Sequence, residues 1–597
     1  MLQLSKPATG VQLLRWNKKL PSASTQDPLG LNLRLSNRLA TQLLYCITSI
    51  TPRARYYAFF PWAFEDYAQN EQGKRVDRGR VGGVLARERA MVLGAALHHK
   101  GKACSGGSLG GSEEAIKLYE RGARPAYNLD AFKHLKAREG QFGAAYKASL
   151  INLGLFAGES EGVNEEAAAD SQELDEETQS IEVTQLSPRG KRLADAYRRS
   201  VGAARYVKDH WTLQASVPAG VLKEFGARAG LCEIARKGAA DRDVIRDILF
   251  SCDRNETQST HYRRRMSLLL LLHAIGETAK IGIVFDRHAF NDLTYFGRVI
   301  RDEERGTSAL LDVPAPLRDS AERWRMFHFH GYLTVALQSF LVTIVGILRQ
   351  HPSGIDRAKL LDEFGAAALG ARFRKLFNVK LPGSFFDLTP AALLSVAGVN
   401  VAEVLADRSA SLKAASIESR FGERNLSLLL NDGEAEQISG ITLASMLLYT
   451  VLLRYQTAVG AAYDAWYQNL VQDRFADLSV PGVLGTLRSE FGDTWWHRPN
   501  REILNLLIWR FVVLQHQTMG YERGFGGAAP LFHLDGTTII GTEADFTEPG
   551  APNGRFSSAM QILRDLALVD GDYEEGFALT PEGRTWLRDL LAKEQAS

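Results

Sequence analysis

The stretch LRDLALVDG at residues 563–571, followed by LTPEGR at 579–584, has a counterpart near residue 150, where LINLGLFAG (150–158) precedes LSPRGK (186–191). In both copies an amphipathic helix ends at a Leu-Ala-Leu or Leu-Gly-Leu turn, and a polar excursion separates this turn from Ser/Thr-Pro. Ser or Thr before Pro is typical of a helix N-cap with proline at the first helical position. The order helix, hairpin, helix predicts the recognition helix, wing and closing helix of a winged helix, present twice.

The rest of the chain shows mostly helical patterns. The first recognition helix is predicted at 141–153, and residues 201–480 carry apolar residues at helical spacing almost throughout. One strand–turn–strand pattern covers 532–540, with Asp535-Gly536 as its turn. We therefore predict a mainly α, multidomain helical protein with two winged-helix units.

The chain of 597 residues is too long for one hydrophobic core. In chain order we predict an aromatic-rich helical segment at 1–85, a winged-helix domain at 86–200, a large α-helical domain at 201–480 and a C-terminal domain at 481–597. The wing of the first winged helix carries an acidic insertion at 159–182, and the second winged helix occupies 555–593.

The overall charge excludes a globally basic nucleic-acid-binding protein. Lys and Arg total 71 against 69 Asp and Glu, so the formal net charge is only +2. Any affinity for DNA must therefore come from local patches. The four cysteines form no C-x-x-C pair, which favours inert thiols in a reducing cytoplasm. The apolar runs 332–348 and 441–453 favour buried helices over membrane spans, because the first contains several polar residues and the second is short.

Two groups of arginines are candidate contacts to duplex DNA. Arg555, Arg564, Arg584 and Arg588 give the second winged helix a mildly positive face. Arg263, Arg264 and Arg265 form the tightest basic cluster, where phosphate contacts and solvated helix ends are both open interpretations.

The acidic insertion contains ten Asp and Glu residues and neither Lys nor Arg. Such a segment is typical of a solvated, disordered loop, and phosphate would repel it. The alternatives are that it attracts a basic partner or that it mimics DNA in an autoinhibited state.

A dense aromatic block follows Arg53 and Arg55 and includes Tyr56 and Trp62. Such rings with arginines are able to stack on unpaired bases. A structural core with the arginines at its rim is the favoured interpretation.

Motifs for catalysis, metal binding and cofactor binding are not convincing. The glycine-rich segment 106–112 has Ser112 where a phosphate-binding loop needs lysine. His328 and His330 are two residues apart on a predicted helix, so their imidazoles point in different directions and cannot share an ion. We expect one to face the core and the other the solvent. No catalytic residue, metal site or cofactor is predicted, and an enzymatic role is disfavoured without being excluded.

The segment ITPRARYYAFFPW at 50–62 resembles a group of uncharacterised bacterial proteins with a T-x-R-A-R-Y-x-x-F-x-P-W block near the N-terminus. The similarity covers 27–160 and extends loosely to the helix 324–338. Members of that group tend to be encoded in restriction and antiphage-defence loci, beside helicases or nucleases. The resemblance implies a defence role by association and supplies no catalytic residues.

Together these features predict a cytoplasmic, non-enzymatic DNA-binding or adaptor subunit of a multi-protein bacterial defence system. Its expected partners are double-stranded DNA and other defence proteins such as a helicase, nuclease or ATPase. One alternative is a kleisin-like subunit that bridges an SMC-type ATPase, and another is a nuclease effector with a diverged site. A stand-alone transcription regulator is the remaining possibility.

Overall fold

The mainly α class is confirmed. The computed structural model describes residues 27–75, 77–102, 109–122, 124–157, 185–236, 238–253, 255–302, 306–364, 374, 377–406, 415–431, 440–471, 476–522, 530–552 and 554–595. The acidic insertion and residues 106–108 of the glycine-rich segment lie outside these residues. The described α-helices are α1 Asn37–Leu43, α2 Arg55–Asn70, α3 Gly79–His98, α4 Ser112–Glu120, α5 Lys147–Asn152, α6 Pro188–Val201, α7 Arg205–Lys208, α8 Ala219–Ala229, α9 Ala240–Phe250, α10 Thr260–Lys280, α11 Arg287–Phe296, α12 Ala315–Gln350, α13 Arg357–Phe364, α14 Pro390–Val396, α15 Val401–Ala406, α16 Glu423–Asn431, α17 Gly440–Ala458, α18 Ala461–Leu470, α19 Val480–Phe491, α20 Asn500–Leu507, α21 Leu514–Glu522, α22 Phe556–Asp565 and α23 Pro581–Gln595.

The strands are short and antiparallel. They are β1 Ala126–Asn128, β2 Phe156–Ala157, β3 Gln185–Leu186, β4 Ser216–Pro218, β5 Arg298–Asp302, β6 Thr307–Leu310, β7 Ile355–Asp356, β8 Phe532–Asp535, β9 Thr538–Gly541, β10 Val569–Asp572 and β11 Gly576–Leu579. They pair as β1–β4, β2–β3, β5–β6 and β10–β11, and β9 lies between β7 and β8. The predicted strand–turn–strand pattern around Asp535-Gly536 is the β8–β9 hairpin.

The chain divides into two compact units that are both assembled from separated segments. The described residues of one unit fall within 1–32, 330–460 and 471–551, and those of the other fall within 33–329, 461–470 and 552–597. The domains predicted from the sequence are continuous stretches in chain order, whereas each of these units combines separated stretches. Both predicted winged helices fall within the second unit.

One described helix, α12, is long and apolar enough by composition to cross a bilayer. However, 78% of its most apolar 18-residue window is buried inside the protein. This burial is typical of a core helix, as the polar residues within the run had predicted.

The core of the second unit is built around α2. The aromatic block is almost completely enclosed: Tyr56, Tyr57, Phe59, Phe60 and Trp62 expose 1% or less of their surface. Rings from the first helix–hairpin–helix segment pack on it, for example Tyr146, whose centroid lies 4.9 Å from that of Tyr56. The rings therefore form a structural core, but the arginines do not lie at its rim as expected, because Arg53 and Arg55 are only 5% and 1% exposed.

Candidate functional site

The two segments that were matched in sequence also share a backbone hydrogen-bond pattern. The Leu155 N–H donates to the Leu150 carbonyl at 3.1 Å, and the Leu568 N–H donates to the Leu563 carbonyl at 3.0 Å. The preceding residues, Gly154 and Ala567, both have a left-handed backbone, with φ of 68° and 55°. Each turn leads into a short antiparallel hairpin, β2–β3 or β10–β11.

The closing helices α6 and α23 start in the same way. The Ser187 hydroxyl accepts a hydrogen bond from Gly190 N–H at 3.0 Å and donates to the Gly154 carbonyl at 2.6 Å. The Thr580 hydroxyl likewise accepts from Gly583 N–H at 2.9 Å and donates to the Ala567 carbonyl at 2.8 Å. The N-caps predicted from Ser/Thr-Pro are confirmed.

Each closing helix approaches its turn so closely that only glycine fits. A Cβ atom on Gly190 would lie 2.0 Å from the Leu155 carbonyl oxygen, and a Cβ on Gly583 would lie 1.9 Å from that of Leu568. These are backbone atoms that a side-chain rotation cannot move aside. We refer to the two structures as helix–hairpin–helix motif one (141–157 with 185–201) and motif two (555–595).

Both motifs are attached to the same part of the core. The Tyr146 hydroxyl of motif one lies 3.1 Å from both the backbone nitrogen and the carbonyl oxygen of Arg53. The Arg53 side chain and the Ala54 N–H both donate to the carboxylate of Asp565 in motif two. Residues 53 and 54 therefore tie both motifs to the start of α2.

Helix α9 makes a second connection between the motifs. Arg55 pairs with the Asp241 carboxylate at 3.1 Å, and that carboxylate also accepts from the Ser200 hydroxyl of α6 at 2.6 Å. On the same helix, Arg246 donates to the Leu566 carbonyl and to the Glu582 carboxylate of motif two. Arg53, Arg55, Tyr56 and Trp62 thus act in packing and ion pairing, and all four are buried.

Arg555, a predicted DNA contact, is buried and needs correction. Only 5% of the residue is exposed, and its guanidinium donates to the Ile47 carbonyl at 3.1 Å and the Thr41 hydroxyl at 2.6 Å. A phosphate cannot reach a guanidinium that is enclosed in this way.

The cluster Arg263, Arg264 and Arg265 is also buried, at 9%, 0% and 6% exposure. Arg264 donates to the Leu249 carbonyl at 2.9 Å, and Arg265 donates to the Phe250 carbonyl at 2.9 Å. Arg263 donates to the Gln258 carbonyl at 2.6 Å. The last carbonyls of a helix lack partners within it and attract positive charge, so two of these arginines complete the C-terminal end of α9. The proposed phosphate contacts are therefore incompatible with the structure.

The other three predicted contacts are accessible. Arg564 is partly exposed, and Arg584 and Arg588 are exposed on α23. Arg584 donates to the Leu579 carbonyl at 2.7 Å, and Arg588 pairs with its neighbour Asp589 at 3.1 Å. These side chains stay candidates for a phosphate contact.

The tip of the second hairpin is acidic, a feature that the sequence analysis missed. Asp570, Asp572, Glu574 and Glu575 lie there without a basic residue between them, and we call these four residues the acidic tip. Asp572 accepts hydrogen bonds from the backbone N–H groups of Glu574 and Glu575, which lower the pKa of its carboxyl. Tyr573 projects from the same turn and is 52% exposed. A charge count restricted to 570–575 would have found the tip.

A basic face on α6 was also missed. Lys191, Arg192, Arg198 and Arg199 lie within about 120° of one another around the helix, since successive residues advance by about 100°. Arg192 pairs with Asp247, and Arg198 pairs with Glu65 and Asp195. We call these four residues the basic face of α6.

The helices that precede the hairpins present few charges to solvent. In α22 the accessible positions are Ser557, Gln561 and Arg564, and every other residue of the helix is buried. Before the first hairpin a π-helical turn, Phe142–Tyr146, leads into α5, and its accessible residues are glycine and alanine. Neither surface has the row of cations that neutralises a phosphate backbone.

His328 and His330 do not share a site, as expected from their spacing, but the expectation that one faces solvent was wrong. Both are buried, with His328 Nε2 2.8 Å from the Thr294 hydroxyl and His330 Nε2 2.9 Å from the Leu31 carbonyl. Burial lowers the pKa of His328 to about 3 and that of His330 to about 4. Both imidazoles are therefore neutral at pH 7.

Comparisons with protein-family models, with curated proteins and with solved structures found no match to this chain. The fold itself defines the class of the protein, which is mainly helical and has two equivalent helix–hairpin–helix motifs on one core.

Proposed function

We propose that this protein is a cytoplasmic, non-enzymatic adaptor in which the two helix–hairpin–helix motifs are winged helices that dock other proteins. The acidic tip of motif two is the observation that carries this proposal. A wing that lies on duplex DNA faces phosphates, and four clustered carboxylates would be repelled there. Carboxylates around an exposed tyrosine suit a basic protein surface, because tyrosine contributes contact area and a hydroxyl at interfaces.

The shared attachment of the motifs supports one docking platform. Arg53 and α9 each contact both motifs, Ala54 contacts motif two, and both motifs lie within one compact unit. This arrangement favours a platform over a kleisin-like bridge, in which the two winged helices must reach separated sites. The resemblance of the N-terminal block is the reason for proposing partners among defence proteins such as a helicase, nuclease or ATPase.

The docking proposal is tested by co-expressing the protein with each product of the adjacent genes and measuring complex formation by size exclusion and calorimetry. The informative variant replaces Asp570, Glu574 and Glu575 by Lys and leaves Asp572, whose carboxylate orders the turn. The matched control replaces Glu120, Glu490 and Asp493 by Lys, which makes the same change in net charge at exposed positions elsewhere. We expect a stoichiometric complex that the tip variant weakens at least about tenfold, or about 1.4 kcal/mol, and that the control retains. Equal binding by both variants, or no complex with any neighbour, contradicts the proposal.

The basic face of α6 favours a second function, non-specific binding of duplex DNA. On that face Arg192 and Arg198 form ion pairs with carboxylates, and the side chains of Lys191 and Arg199 are exposed. Each phosphate contact contributes about 0.9 to the slope of log K against log salt for B-DNA.

Fluorescence anisotropy of a labelled duplex of about 30 bp, titrated across salt, tests this second function. If α6 binds DNA, the double variant Lys191→Gln/Arg199→Gln should lower the slope by about 2. The matched variant Arg584→Gln/Arg588→Gln makes the same charge change on motif two and should leave the slope unaltered. A reduced slope in the second variant alone would instead assign duplex binding to motif two, and unchanged slopes in both would exclude both surfaces.

A further inference from the structure

Three potential metal ligands converge at the ends of two helices in the second unit. His98 is the last residue of α3, His99 follows it, and Cys232 lies in the 3₁₀ turn that follows α8. One ligand atom from each side chain lies within 4.8 Å of the other two. Among the residues that the structure describes, this is the one group of three or more His, Cys, Asp or Glu side chains placed to hold a metal ion.

A backbone-to-backbone helix crossing positions the group. A Cβ on Gly94 of α3 would lie 2.5 Å from the Leu222 carbonyl oxygen and 2.9 Å from the Gly226 nitrogen of α8. A Cβ on Gly226 would lie 2.0 Å from the Gly94 carbonyl. Because both helices have glycine at this crossing, their axes approach closely, and the segments that follow bring the two histidines to the cysteine.

The geometry of the group fits a tetrahedral metal ion. The Cys232 Sγ lies 3.5 Å from the His99 Nε2. Zinc bonds of about 2.3 Å to sulfur and about 2.0–2.1 Å to nitrogen, at a tetrahedral angle, place those two atoms about 3.5 Å apart. Thiolate with imidazole is also a donor set that suits zinc, whereas calcium and magnesium prefer oxygen.

The surroundings allow an ion to enter. His98, His99 and Cys232 are all partly accessible to solvent. Cys232 also lines a cleft of about 240 Å³ together with Gln561, Arg564 and Asp565 of motif two. We infer that His98, His99 and Cys232 bind one Zn²⁺ ion, with a fourth coordination position left for water or another group. This site is independent of the proposed docking function.

Cobalt substitution tests the assignment directly. The full-length protein, purified without a histidine tag and treated with chelator, is titrated with Co²⁺ and followed by absorption spectroscopy. One equivalent of Co²⁺ should produce tetrahedral d–d bands and a thiolate-to-cobalt charge-transfer band, and Zn²⁺ should displace the cobalt. Absence of a charge-transfer band in the wild-type protein overturns the inference.

Variants identify the ligands. Cys232→Ser should abolish the charge-transfer band, and the control Cys252→Ser, which removes a thiol outside the group, should retain it. His98→Ala and His99→Ala should each weaken Zn²⁺ binding at least about tenfold in competition with a chromophoric chelator. If Cys232→Ser fails to fold, as judged by circular dichroism, the histidine variants still decide the outcome. A band that persists in Cys232→Ser, or Zn²⁺ affinity unchanged in both histidine variants, would mean that the three side chains form only a thiol–imidazole contact.

Discussion

Arg53 and Asp565 form a buried, two-point ion pair across 512 positions of the chain. The Nε and Nη2 atoms of Arg53 lie 3.1 and 2.9 Å from the two carboxylate oxygens of Asp565. Each residue is 5% exposed. Burial raises the pKa of the Asp565 carboxyl, while the Arg53 guanidinium and the Ala54 N–H oppose that rise. Arg53, for which base stacking was the less favoured interpretation of the sequence, therefore fixes motif two to the start of α2.

Removal of one partner of this pair should destabilise the protein strongly. Arg53→Met leaves an uncompensated carboxylate in the core, and breaking a buried pair in this way costs about 3–5 kcal/mol. Chemical denaturation of Arg53→Met, Asp565→Asn and the double variant measures the coupling. The control Arg192→Met breaks the solvent-exposed pair with Asp247 and should cost no more than about 1 kcal/mol. Equal losses in Arg53→Met and Arg192→Met would show that the buried pair contributes no more than a surface one.

The glycines at the start of both closing helices should not tolerate alanine. In Gly583→Ala and Gly190→Ala the new methyl group meets a backbone carbonyl, and such overpacking costs about 1–3 kcal/mol or more. Gly485→Ala is the matched control, because that exposed glycine in α19 has no atom within 4 Å of its added Cβ. The control should gain about 0.5–1 kcal/mol, since alanine is the better helix former. Thermal melting compares the three variants, and a neutral Gly583→Ala would contradict the close approach.

Arg264 should affect stability and leave DNA binding unchanged. Arg264→Met removes the side-chain donor of the Leu249 carbonyl, whereas the Ile248 carbonyl still accepts from the Ser251 hydroxyl, and an unsatisfied buried acceptor costs about 1–3 kcal/mol. Arg588→Met, at an exposed position, should change stability by less than about 0.5 kcal/mol. Denaturation gives the stability, and duplex anisotropy gives the salt slope. A lower salt slope for Arg264→Met with unchanged stability would restore the phosphate contact that the sequence suggested.

Mild acid should destabilise the protein through its buried histidines. The folded pKa values of His328 and His330, about 3 and about 4, lie below the unfolded value of about 6.5. A lowered folded pKa contributes stability that is present above the unfolded pKa and is lost as pH falls from about 6.5 toward the folded pKa. Each histidine should therefore cost about 1.4 kcal/mol per pH unit in that range.

Denaturation at pH 7 and pH 5 measures this loss, which should be smaller in His328→Gln than in the wild-type protein. Glutamine retains a hydrogen-bonding group near the Thr294 hydroxyl and does not titrate. The same pH dependence in both proteins would mean that His328 does not contribute.

The sequence predicted those features of the fold that depend on a few neighbouring residues. Ser187 and Thr580 cap the helices that Ser/Thr-Pro predicted, and Asp535-Gly536 forms the turn of a hairpin. The turns at Gly154 and Ala567 and the equivalent hydrogen bonds of the two motifs correspond to the matched stretches. These features depend on backbone preferences and on contacts between residues close in the chain.

The residues of the candidate site were harder to predict from the sequence, because the charge of a residue does not show whether its side chain is buried. In the sequence, Arg264 and Arg555 resemble surface cations. In the structure, each donates hydrogen bonds to backbone carbonyls of another segment of the chain. The acidic tip was visible in the sequence, and it became a distinguishing feature of motif two only when Arg555 was found to be buried. The group of His98, His99 and Cys232 spans more than a hundred residues and has no motif spacing.

The sequence by itself determined the helical class, the caps, the turns and the repetition of helix, hairpin and helix, since these depend on periodicity and on backbone geometry over a few residues. Only the tertiary structure decided which arginines stabilise the core, which reach solvent and which side chains converge at the ends of α3 and α8. The physical reason is that the burial and ion pairing of a side chain depend on which other segments of the folded chain pack against it. For Arg53 that partner is Asp565, at the opposite end of the sequence.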